Sequence, residues 1–453
     1  MLKLFDTAKG AVVPFEPREP GKVSMYVCGP TVYGPPHLGH GRFSLVFDVL
    51  RRYLEWSGLE VTYVSNITDV DDNIINKALA EGRTEPEVAA EYEALWWTAM
   101  DAIGVKRPTA DPHATAYIAD MVTFVAALVD KGIAYETSDG VYFQAQRVED
   151  YGLLARQSIE SLRVGARVEG SDEKRSPIDF ALWKKAKPNE PSWDSPWGPG
   201  RPGWHTECVV MSLDLLGEGF DIHGGGQDLA FPHHENERAQ AVAAGRAFSR
   251  YWVHNGFVEV DGEKMSKSLG NFTNLMDLVQ SVDQRAYRLL VLRSHYRSPI
   301  EVNRSSTADA SAALARLDAF ARNTAHIPDA EPDPAAIERF RTAMDDDLNT
   351  PAVHSLLFEL VRQGNTLLTY EDDAGVAPLL AAVRSICAGV GLVIGGEAVA
   401  VPPAISAKCR ERDQARADKD WALADTIRDE LQAEGWIVED KADGTSVHRA
   451  RPS

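Results

Sequence analysis

The sequence of 453 residues is poor in cysteine and contains no long hydrophobic run. Its four cysteines are too few for a disulfide framework in a chain of this length, which predicts a reducing compartment. The longest apolar runs, such as residues 123–129, are far shorter than the ~20 residues of a membrane-spanning helix. The first residues, MLKLFD, lack the apolar core of a signal peptide. We therefore expect a cytoplasmic protein without a membrane partner.

Basic residues are also in deficit, with 47 Lys and Arg against 67 Asp and Glu, which gives a formal net charge of −20. This balance excludes a general positive field that would gather nucleic acid. It still allows a local basic stripe to dock on phosphates over a small contact area. The length and the 44% content of hydrophobic residues predict two to four domains.

Two short β-branched and aromatic runs, Val23 to Cys28 and Val61 to Asn66, predict strands. Between them, Leu38 to Trp56 carries apolar residues at helical spacing. A strand, a helix and a strand within this length make a βαβ unit and imply a parallel sheet. The strand pattern resumes at residues 220–223, and Gly224 to Gly226 are expected to form a loop behind that strand. We therefore expect an α/β, Rossmann-like doubly wound parallel domain that is split by an insertion.

The rest of the chain divides into segments that differ in predicted secondary structure. Ser138-Asp139-Gly140 between two apolar runs predicts a hairpin inside the insertion. After about residue 305 the pattern is helical, with Thr350 expected as an N-cap before Pro351. The last fifty residues predict two short helices and a hairpin that turns at Asp443-Gly444. The predicted segments are 1–110 and 201–305 for the split α/β domain, 111–200 for the insertion, 306–395 for a helical bundle and 404–453 for a small α+β domain.

Four residues have the types and spacings of one zinc site, namely Cys28, Cys208, His233 and Glu237. Zinc prefers thiolate and imidazole ligands and accepts a carboxylate as a fourth. His233 and Glu237 are four apart and share one face of a helix, which Pro232 is well placed to begin. Each cysteine is expected at or near a strand end, where an open α/β sheet assembles its site. The same residues also fit a simpler interpretation, because cysteines at strand ends are commonly just buried and His-x-x-x-Glu pairs are common on helices.

His37-Leu38-Gly39-His40 stands at the start of the first predicted helix. The two histidines are three apart and point the same way, and together with the free backbone N–H groups of a helix N-terminus they make a phosphate site. Gly39 lets a nucleotide approach the backbone closely. Two surface histidines beside a glycine are the alternative.

Lys264 and Lys267 present two ammonium groups in a polar segment between two glycines. Such a loop closes over pyrophosphate in a transition state and opens afterwards. A solvated Lys-Ser run is the alternative. Gly226 offers close backbone approach to a nucleotide, and Asp228 offers a carboxylate for a ribose hydroxyl.

Taken jointly, these elements resemble the class I aminoacyl-tRNA synthetases, and among them the cysteinyl-tRNA synthetases. The resemblance runs nearly end to end and includes the segments MYVCGPTVY (25–33), NITDVDD (66–72), DFALWK (179–184), PSWDSPWG (191–198), GWHTEC (203–208), FPHHENE (231–237) and KMSKS (264–268). Two departures are Asn73, where the family usually has lysine, and Val209-Val210, where smaller residues are common.

The resemblance implies an enzyme that activates L-cysteine with ATP and Mg²⁺ and transfers it to tRNA(Cys). It implies one Zn²⁺ on the four proposed ligands, with the substrate thiolate completing the site. It also implies that His37, Gly39, His40, Gly226, Lys264 and Lys267 bind ATP, and that Thr68, Trp204 and Asp228 contact the amino acid and the ribose. The C-terminal segment would read the anticodon, and we expect a monomer.

Two other functions remain open at this level. The cysteine ligase of mycothiol synthesis shares the adenylation chemistry but lacks a C-terminal anticodon-reading domain. A zinc-dependent thiol-binding regulator without catalysis would need no pyrophosphate clamp of the Lys264–Lys267 kind. A stripe of Lys408, Arg412, Arg416 and Lys419 on one predicted helix favours tRNA, although interleaved acids also fit an ordinary solvated face.

Overall fold

The computed structural model describes residues 1–158, 173–260, 263–264, 274–395, 403–441 and 444–449. The strands in these ranges are β1 (Lys3–Asp6), β2 (Ala11–Pro14), β3 (Lys22–Val27), β4 (Glu60–Val64), β5 (Ala134–Glu136), β6 (Gly140–Phe143), β7 (Phe180–Lys185), β8 (Gly200–Pro202), β9 (Ile222–Gly226), β10 (Tyr251–Asn255), β11 (Val258–Val260), β12 (Glu263–Lys264), β13 (Ile300–Glu301), β14 (Trp436–Lys441) and β15 (Gly444–Arg449). The helices are α1 (Leu38–Trp56), α2 (Asp72–Glu81), α3 (Glu85–Ala102), α4 (Ile118–Asp130), α5 (Trp204–Leu216), α6 (Glu235–Ala244), α7 (Leu275–Ser281), α8 (Gln284–Leu292), α9 (Arg304–Asn323), α10 (Pro334–Asp345), α11 (Thr350–Leu368), α12 (Asp373–Gly389), α13 (Pro403–Ala417) and α14 (Trp421–Ala433).

The central sheet has four parallel strands in the order β10-β9-β3-β4. Helix α1 connects β3 to β4, has the predicted bounds, and buries an apolar face that includes Phe47 and Leu50. The C-terminal ends of β3, β9 and β10 therefore open onto one edge of the sheet, where ligand sites of such folds lie. The predicted α/β fold with a parallel sheet is confirmed.

The three glycines after residue 223 do not form the expected loop, because Gly224, Gly225 and Gly226 continue strand β9. A Cβ atom at Gly224 would lie 2.3 Å from the Phe47 ring, and one at Gly225 would lie 2.7 Å from the His234 ring. Glycine is thus required there by packing against both faces of the sheet, and this packing draws α1 and the His234 segment close to β9.

The segment between the two halves of the sheet carries the predicted hairpin. Strands β5 and β6 pair antiparallel and continue through β7 and β8 into a four-stranded sheet. This sheet has a buried cluster of its own, centred on Trp183, Phe143 and Leu182. The exact boundaries of the insertion remain a prediction.

The helices from α9 to α12 share one buried apolar cluster with the parallel sheet. This cluster includes Met25 and Phe47 of the α/β domain and Leu314 and Phe340 of the helices. Helix α11 was expected to be capped by Thr350. Its N-cap is instead Asn349, whose side-chain oxygen accepts a hydrogen bond from the Ala352 N–H at 3.2 Å.

The C-terminal segment forms two helices and a hairpin, as predicted, with its own buried cluster around Leu431 and Trp436. Asp443 of the predicted turn lies outside the described residues. In the described ranges, no helix has both the length and the apolar composition that a membrane span requires.

The predicted basic stripe is neither confined to one helix nor wholly solvent-facing, because Lys419 lies beyond the end of α13 and Arg412 is buried. The Arg412 side chain is 3% exposed and donates to Asp440 and Thr445, and Arg416 also pairs with Asp440. Lys408 pairs with Glu430 and Glu434 of the neighbouring helix. Arg412 therefore holds the hairpin against α13 and is not available to phosphates.

Candidate active site

A cavity of about 430 Å³ opens at the C-terminal ends of β3, β9 and β10. Its lining includes seven of the residues that the sequence predicts for the site, namely Cys28, His37, Gly39, His40, Trp204, Gly226 and Asp228. The lining also includes residues that the sequence did not single out for the site, among them Thr31, Asp71, Asn73, Trp96 and the segment from Asn255 to Val258. The predicted metal end and the predicted nucleotide end therefore belong to one cavity.

The four predicted metal ligands meet at one end of this cavity. The Cys28 and Cys208 sulfurs are 3.7 Å apart, and the Cys208 sulfur is 3.6 Å from Nε2 of His233. Glu237 Oε1 lies 3.0 Å from the same nitrogen and 3.4 Å from the Cys28 sulfur. All four residues are buried, and one donor atom from each lies within 4.8 Å of the others.

These separations match the edges of a tetrahedral zinc site. With zinc–sulfur bonds near 2.3 Å and zinc–nitrogen or zinc–oxygen bonds near 2.0 Å, the sulfur–sulfur edge is about 3.8 Å, a sulfur–nitrogen edge about 3.5 Å and a nitrogen–oxygen edge about 3.3 Å. The observed 3.7, 3.6 and 3.0 Å lie within a few tenths of an ångström of these values. The donor set and its spacing therefore fit zinc.

The local structure explains how the ligands converge. Cys28 directly follows β3, whereas Cys208 lies within helix α5 and not near a strand end as expected. His233 is the next-to-last residue of a short kinked turn, residues 230–234, that leads directly into α6, and it lies four residues before Glu237. The end of β3, helix α5, the turn before α6 and α6 itself therefore supply one donor each.

A second layer of histidines surrounds the cluster, which the sequence did not predict. His205 Nδ1 lies 2.8 Å from Nδ1 of His233, and His223 Nε2 lies 2.7 Å from Oε2 of Glu237. Such outer partners fix the orientation of metal ligands. His223 and His234 also form an alternative donor group with Cys28 and Glu237, but that group contains one thiol where the first contains two. Zinc's preference for thiolates favours the first group.

Burial controls the charge of this cluster. It raises the pKa of the Cys28 thiol well above its ordinary value and also raises the pKa of Cys208. It lowers the pKa of His233 well below its ordinary value. Without a cation, the thiols are therefore protonated and the imidazole is neutral, so a bound metal would have to displace the thiol protons.

Two residues predicted to contact the amino acid occupy different positions. Trp204 is 38% exposed in the cavity, and its ring stacks on His233 with centroids 4.0 Å apart. Thr68 is 1% exposed and lies behind the described cavity lining. Its hydroxyl donates to Glu207 Oε2 at 3.0 Å and accepts from the Asn66 amide at 3.2 Å. Thr68 therefore supports the pocket through neighbouring side chains.

His37 and His40 stack with their ring centroids 3.6 Å apart at the N-terminus of α1. Each ring accepts at Nδ1 the backbone N–H of the other residue, at 3.3 and 3.2 Å. Because Nδ1 is the acceptor in both rings, the neutral tautomer carries its proton on Nε2. Burial lowers the pKa of His37 to about 4 and also lowers the pKa of His40. Both rings are therefore neutral hydrogen-bond donors at pH 7.

The nucleotide end of the cavity is built on strand ends. Asn255 of β10 is the register partner of Gly226 of β9, and Asp228 follows two residues later with its side chain exposed. Lys264 lies in β12, which pairs with β11 directly after this segment. Lys267 lies outside the described residues.

Family models match three parts of the chain. The model for the tRNA synthetases class I (C) catalytic domain matches residues 14–312. The DALR domain matches residues 339–394, and the cysteinyl-tRNA ligase anticodon binding domain matches residues 399–447.

Known proteins resemble the chain over its whole length. The cysteine–tRNA ligase of Carboxydothermus hydrogenoformans is 45% identical over 99% of this chain and 100% of its own. That of Methylobacillus flagellatus is 47% identical over the same shares. Among solved structures, methionyl-tRNA synthetase of Mycobacterium tuberculosis has a TM-score of 0.59 at 14% identity, over 82% of this chain and 90% of its own. LeuRS of Agrobacterium radiobacter has a TM-score of 0.63 at 12% identity, over 83% and 85%. These two share the fold.

Proposed function

We propose, because this chain belongs to the cysteinyl-tRNA synthetase family, that it activates L-cysteine with ATP and transfers the cysteinyl group to the 3′ end of tRNA(Cys). The observation that carries the proposal is the meeting, in one cavity, of a zinc-type donor cluster and two neutral histidines at a helix N-terminus. The first half suits a thiol substrate and the second suits a phosphate.

The metal end of the cavity, where the four proposed ligands lie, selects cysteine. Serine and cysteine are nearly isosteric, and a shaped pocket alone rejects such an analogue by only about 10²-fold. Zinc held by Cys28, Cys208, His233 and Glu237 would supply affinity for a thiolate that a neutral hydroxyl does not match. Discrimination then occurs at binding, and no editing module is required. Trp204 covers the His233 ring and borders the space for the amino acid.

The first step is adenylate formation. The substrate carboxylate is ionised at pH 7, so it needs no general base. One of its oxygens attacks the α-phosphorus of ATP, the bond between that phosphorus and the oxygen bridging to the β-phosphate breaks, and pyrophosphate leaves. His37 and His40 donate from Nε2 to phosphate oxygens, and Gly39 permits close approach of the chain. Lys264 and Lys267 neutralise the charge that develops on pyrophosphate.

The second step moves the cysteinyl group to tRNA. A hydroxyl of the terminal ribose attacks the adenylate carbonyl carbon, and AMP leaves. Gly226 and Asp228 hold the adenylate ribose. Positioning of the two reactants supplies most of the rate enhancement, because no covalent enzyme intermediate is formed.

The C-terminal segment favours tRNA as the acceptor over an amino sugar. Its match to the cysteinyl-tRNA ligase anticodon binding domain covers residues 399–447, which a mycothiol-type ligase lacks. Pairing of the class I catalytic domain with this domain also disfavours a regulator without catalysis. Since Arg412 is buried, it does not face the tRNA, and other residues of this segment would make the contact.

Cysteine-dependent exchange between ATP and pyrophosphate tests the first step. We expect exchange with cysteine and none above background with serine. Addition of bulk tRNA should then give cysteinyl-tRNA. Exchange without any tRNA charging would instead favour a mycothiol-type ligase, and thiol binding without exchange would favour a thiol-binding regulator.

A further inference from the structure

One buried hydroxyl beside the donor cluster lacks a partner. Tyr26 is 0% exposed and lies on strand β3, two residues before Cys28. Its hydroxyl makes no hydrogen bond of normal geometry with the residues that the structure describes. A buried hydroxyl in this state costs free energy, and native proteins retain few such groups without a reason.

Strand β3 directs this side chain to the side of the sheet where the proposed ligands lie. Alternate residues of a strand point to opposite faces. Met25 and Val27 pack in the apolar cluster that includes helix α1. Tyr26 packs in a separate buried cluster with Cys28 and Cys208. Helix α5, which carries Cys208, contacts β3, so the tyrosine lies between the strand and this helix.

Ring contacts hold the Tyr26 side chain in this position. Its ring meets the ring of His223 edge-on, with centroids 5.3 Å apart and planes at 88°. It also packs on Phe220, with centroids 6.4 Å apart. His223 Nε2 in turn lies 2.7 Å from Oε2 of Glu237. The tyrosine is therefore fixed among residues that contact the proposed metal ligands.

The pKa of the hydroxyl indicates which groups it faces. Burial raises the pKa of Tyr26 well above its ordinary value, and Cys208, Cys28 and Glu237 raise it further, in that order. Among these three neighbours Cys208 has the largest effect, and both oxygens of Glu237 already lie within 3.0 Å of histidine nitrogens. The hydroxyl is therefore a permanent donor that faces the Cys208 sulfur.

A bound metal would change what this sulfur offers to the hydroxyl. A protonated thiol is a weak hydrogen-bond acceptor, so the hydroxyl gains little from it. Metal binding removes the thiol proton, and a thiolate accepts a charge-assisted hydrogen bond. The hydroxyl then gains the partner that it lacks. This step rests on the proposed function, because it requires a metal ion on the four ligands.

We propose that Tyr26 is a positioning residue whose hydroxyl donates a hydrogen bond to the Cys208 thiolate of the metal-loaded protein. The bond orients the sulfur and draws charge away from it. Cys208 then gives less charge to the ion, which keeps more affinity for the thiolate of a bound cysteine. Tyr26 is buried and does not line the cavity, so it acts on substrate selection through a ligand and not by contact.

The variant Tyr26→Phe removes the hydroxyl and keeps the ring. Zinc affinity of the full chain, measured by competition with a chromophoric chelator, should fall roughly 10- to 100-fold, the usual effect of losing an outer partner of a metal ligand. After removal of the metal, the variant should unfold at the same temperature as the unmodified protein or at a higher one, because it no longer buries an unpaired hydroxyl. A purely structural tyrosine would give a lower unfolding temperature.

Tyr296→Phe is the matched control. The Tyr296 hydroxyl is also buried, but it donates to Asp347 at 2.7 Å and does not belong to the lining of the active-site cavity. Its loss should lower the unfolding temperature with and without metal, and it should leave zinc affinity unchanged. Unchanged zinc affinity in Tyr26→Phe would overturn the proposal, as would a lower unfolding temperature of this variant in the metal-free state.

Absorption of the Co²⁺-loaded protein reports on the sulfur itself. A thiolate that loses a hydrogen bond gives up an electron more easily, so the charge-transfer absorption should move to longer wavelength in Tyr26→Phe and not in Tyr296→Phe. An unmodified protein that binds neither zinc nor cobalt would refute the metal of the proposed function, and this role with it. Metal binding that Tyr26→Phe leaves unchanged, in affinity and in absorption, would refute the role of Tyr26 alone.

Discussion

The two ends of the active-site cavity are built by different means. The cluster end consists of buried side chains that already contact one another, with the Cys28 and Cys208 sulfurs 3.7 Å apart. The nucleotide end consists mainly of backbone, glycine and neutral rings, and one of its buried acceptors, on Asn255, has no partner among the described residues. Its two lysines belong to a segment that is only partly described.

This difference assigns different tasks to the two ends. The metal that the donor cluster would hold selects a substrate by its chemistry, because a thiolate can bind to it and a neutral hydroxyl is a poor ligand. The predicted nucleotide end would instead contribute most as charge develops on the phosphates in the transition state. Substitutions of the cluster residues should therefore abolish cysteine binding, and substitutions at the nucleotide end should mainly slow adenylate formation.

The largest effect is expected when the cluster is broken. The double variant Cys208→Ser, His233→Ala removes two of four donors, so zinc content should fall from one ion per chain to near zero and cysteine-dependent exchange to background. ATP binding should change much less. Cys409→Ser, a buried thiol in the C-terminal cluster, should retain its zinc and serves as the control. Unchanged zinc in the double variant would show that these residues are not the ligands.

A smaller effect is expected from Lys267→Ala at the other end. Adenylate formation should slow by roughly 10²-fold, the usual cost of removing one group that stabilises developing charge, while cysteine affinity stays nearly intact. Rapid-quench measurement of adenylate formation checks this. Lys187→Ala, an exposed lysine of the insertion, should leave the rate unchanged. A normal rate in Lys267→Ala would remove this residue from the mechanism.

Removing residues 404–453 should separate the two steps. The segment has its own buried cluster, and the cavity lies wholly upstream, so pyrophosphate exchange should survive. Aminoacylation should fall by at least about tenfold, because tRNA loses one of two linked contact regions. A truncated chain that charges tRNA as well as the full chain would contradict an anticodon-reading role for the segment.

The smallest effect concerns the helix cap at His37. Asn caps helices well, so His37→Asn should retain stability, whereas His37→Ala should lose about 1 kcal/mol of unfolding free energy. Burial lowers the pKa of His37 to about 4, so the unfolded chain binds its proton first and stability falls as the pH drops from about 6.5 towards 4. Denaturant unfolding should show a shallower loss over this range in His37→Asn. An identical acid profile in both proteins would mean that His37 is not held neutral.

The sequence predicted those features that depend on local pattern or on residue type. The bounds of α1 followed from apolar spacing. The four proposed zinc ligands were singled out by chemistry and by resemblance, and the structure brings them together although they are distant along the chain. The prediction of a loop at Gly224 was wrong because the glycines continue the strand. They allow close packing against Phe47 and His234, which only the folded sheet brings together.

Other features had no local signal. His205 and His223 contact the cluster from positions without any ligand-like spacing. An unpaired oxygen on Asn255 exists only once the strand ends are assembled. Arg412 has the spacing of a helical stripe, but this spacing does not predict that the C-terminal hairpin packs over its side chain.

Cobalt substitution tests whether the cluster holds a metal that selects cysteine by its thiol. Replacement of the bound metal by Co²⁺ gives charge-transfer absorption whose intensity rises with the number of thiolates bound to the ion. We expect absorption from the two protein thiolates that intensifies when cysteine is added and does not change with serine. Absorption that responds equally to both amino acids, or a protein that binds no cobalt at the cluster, would contradict this expectation.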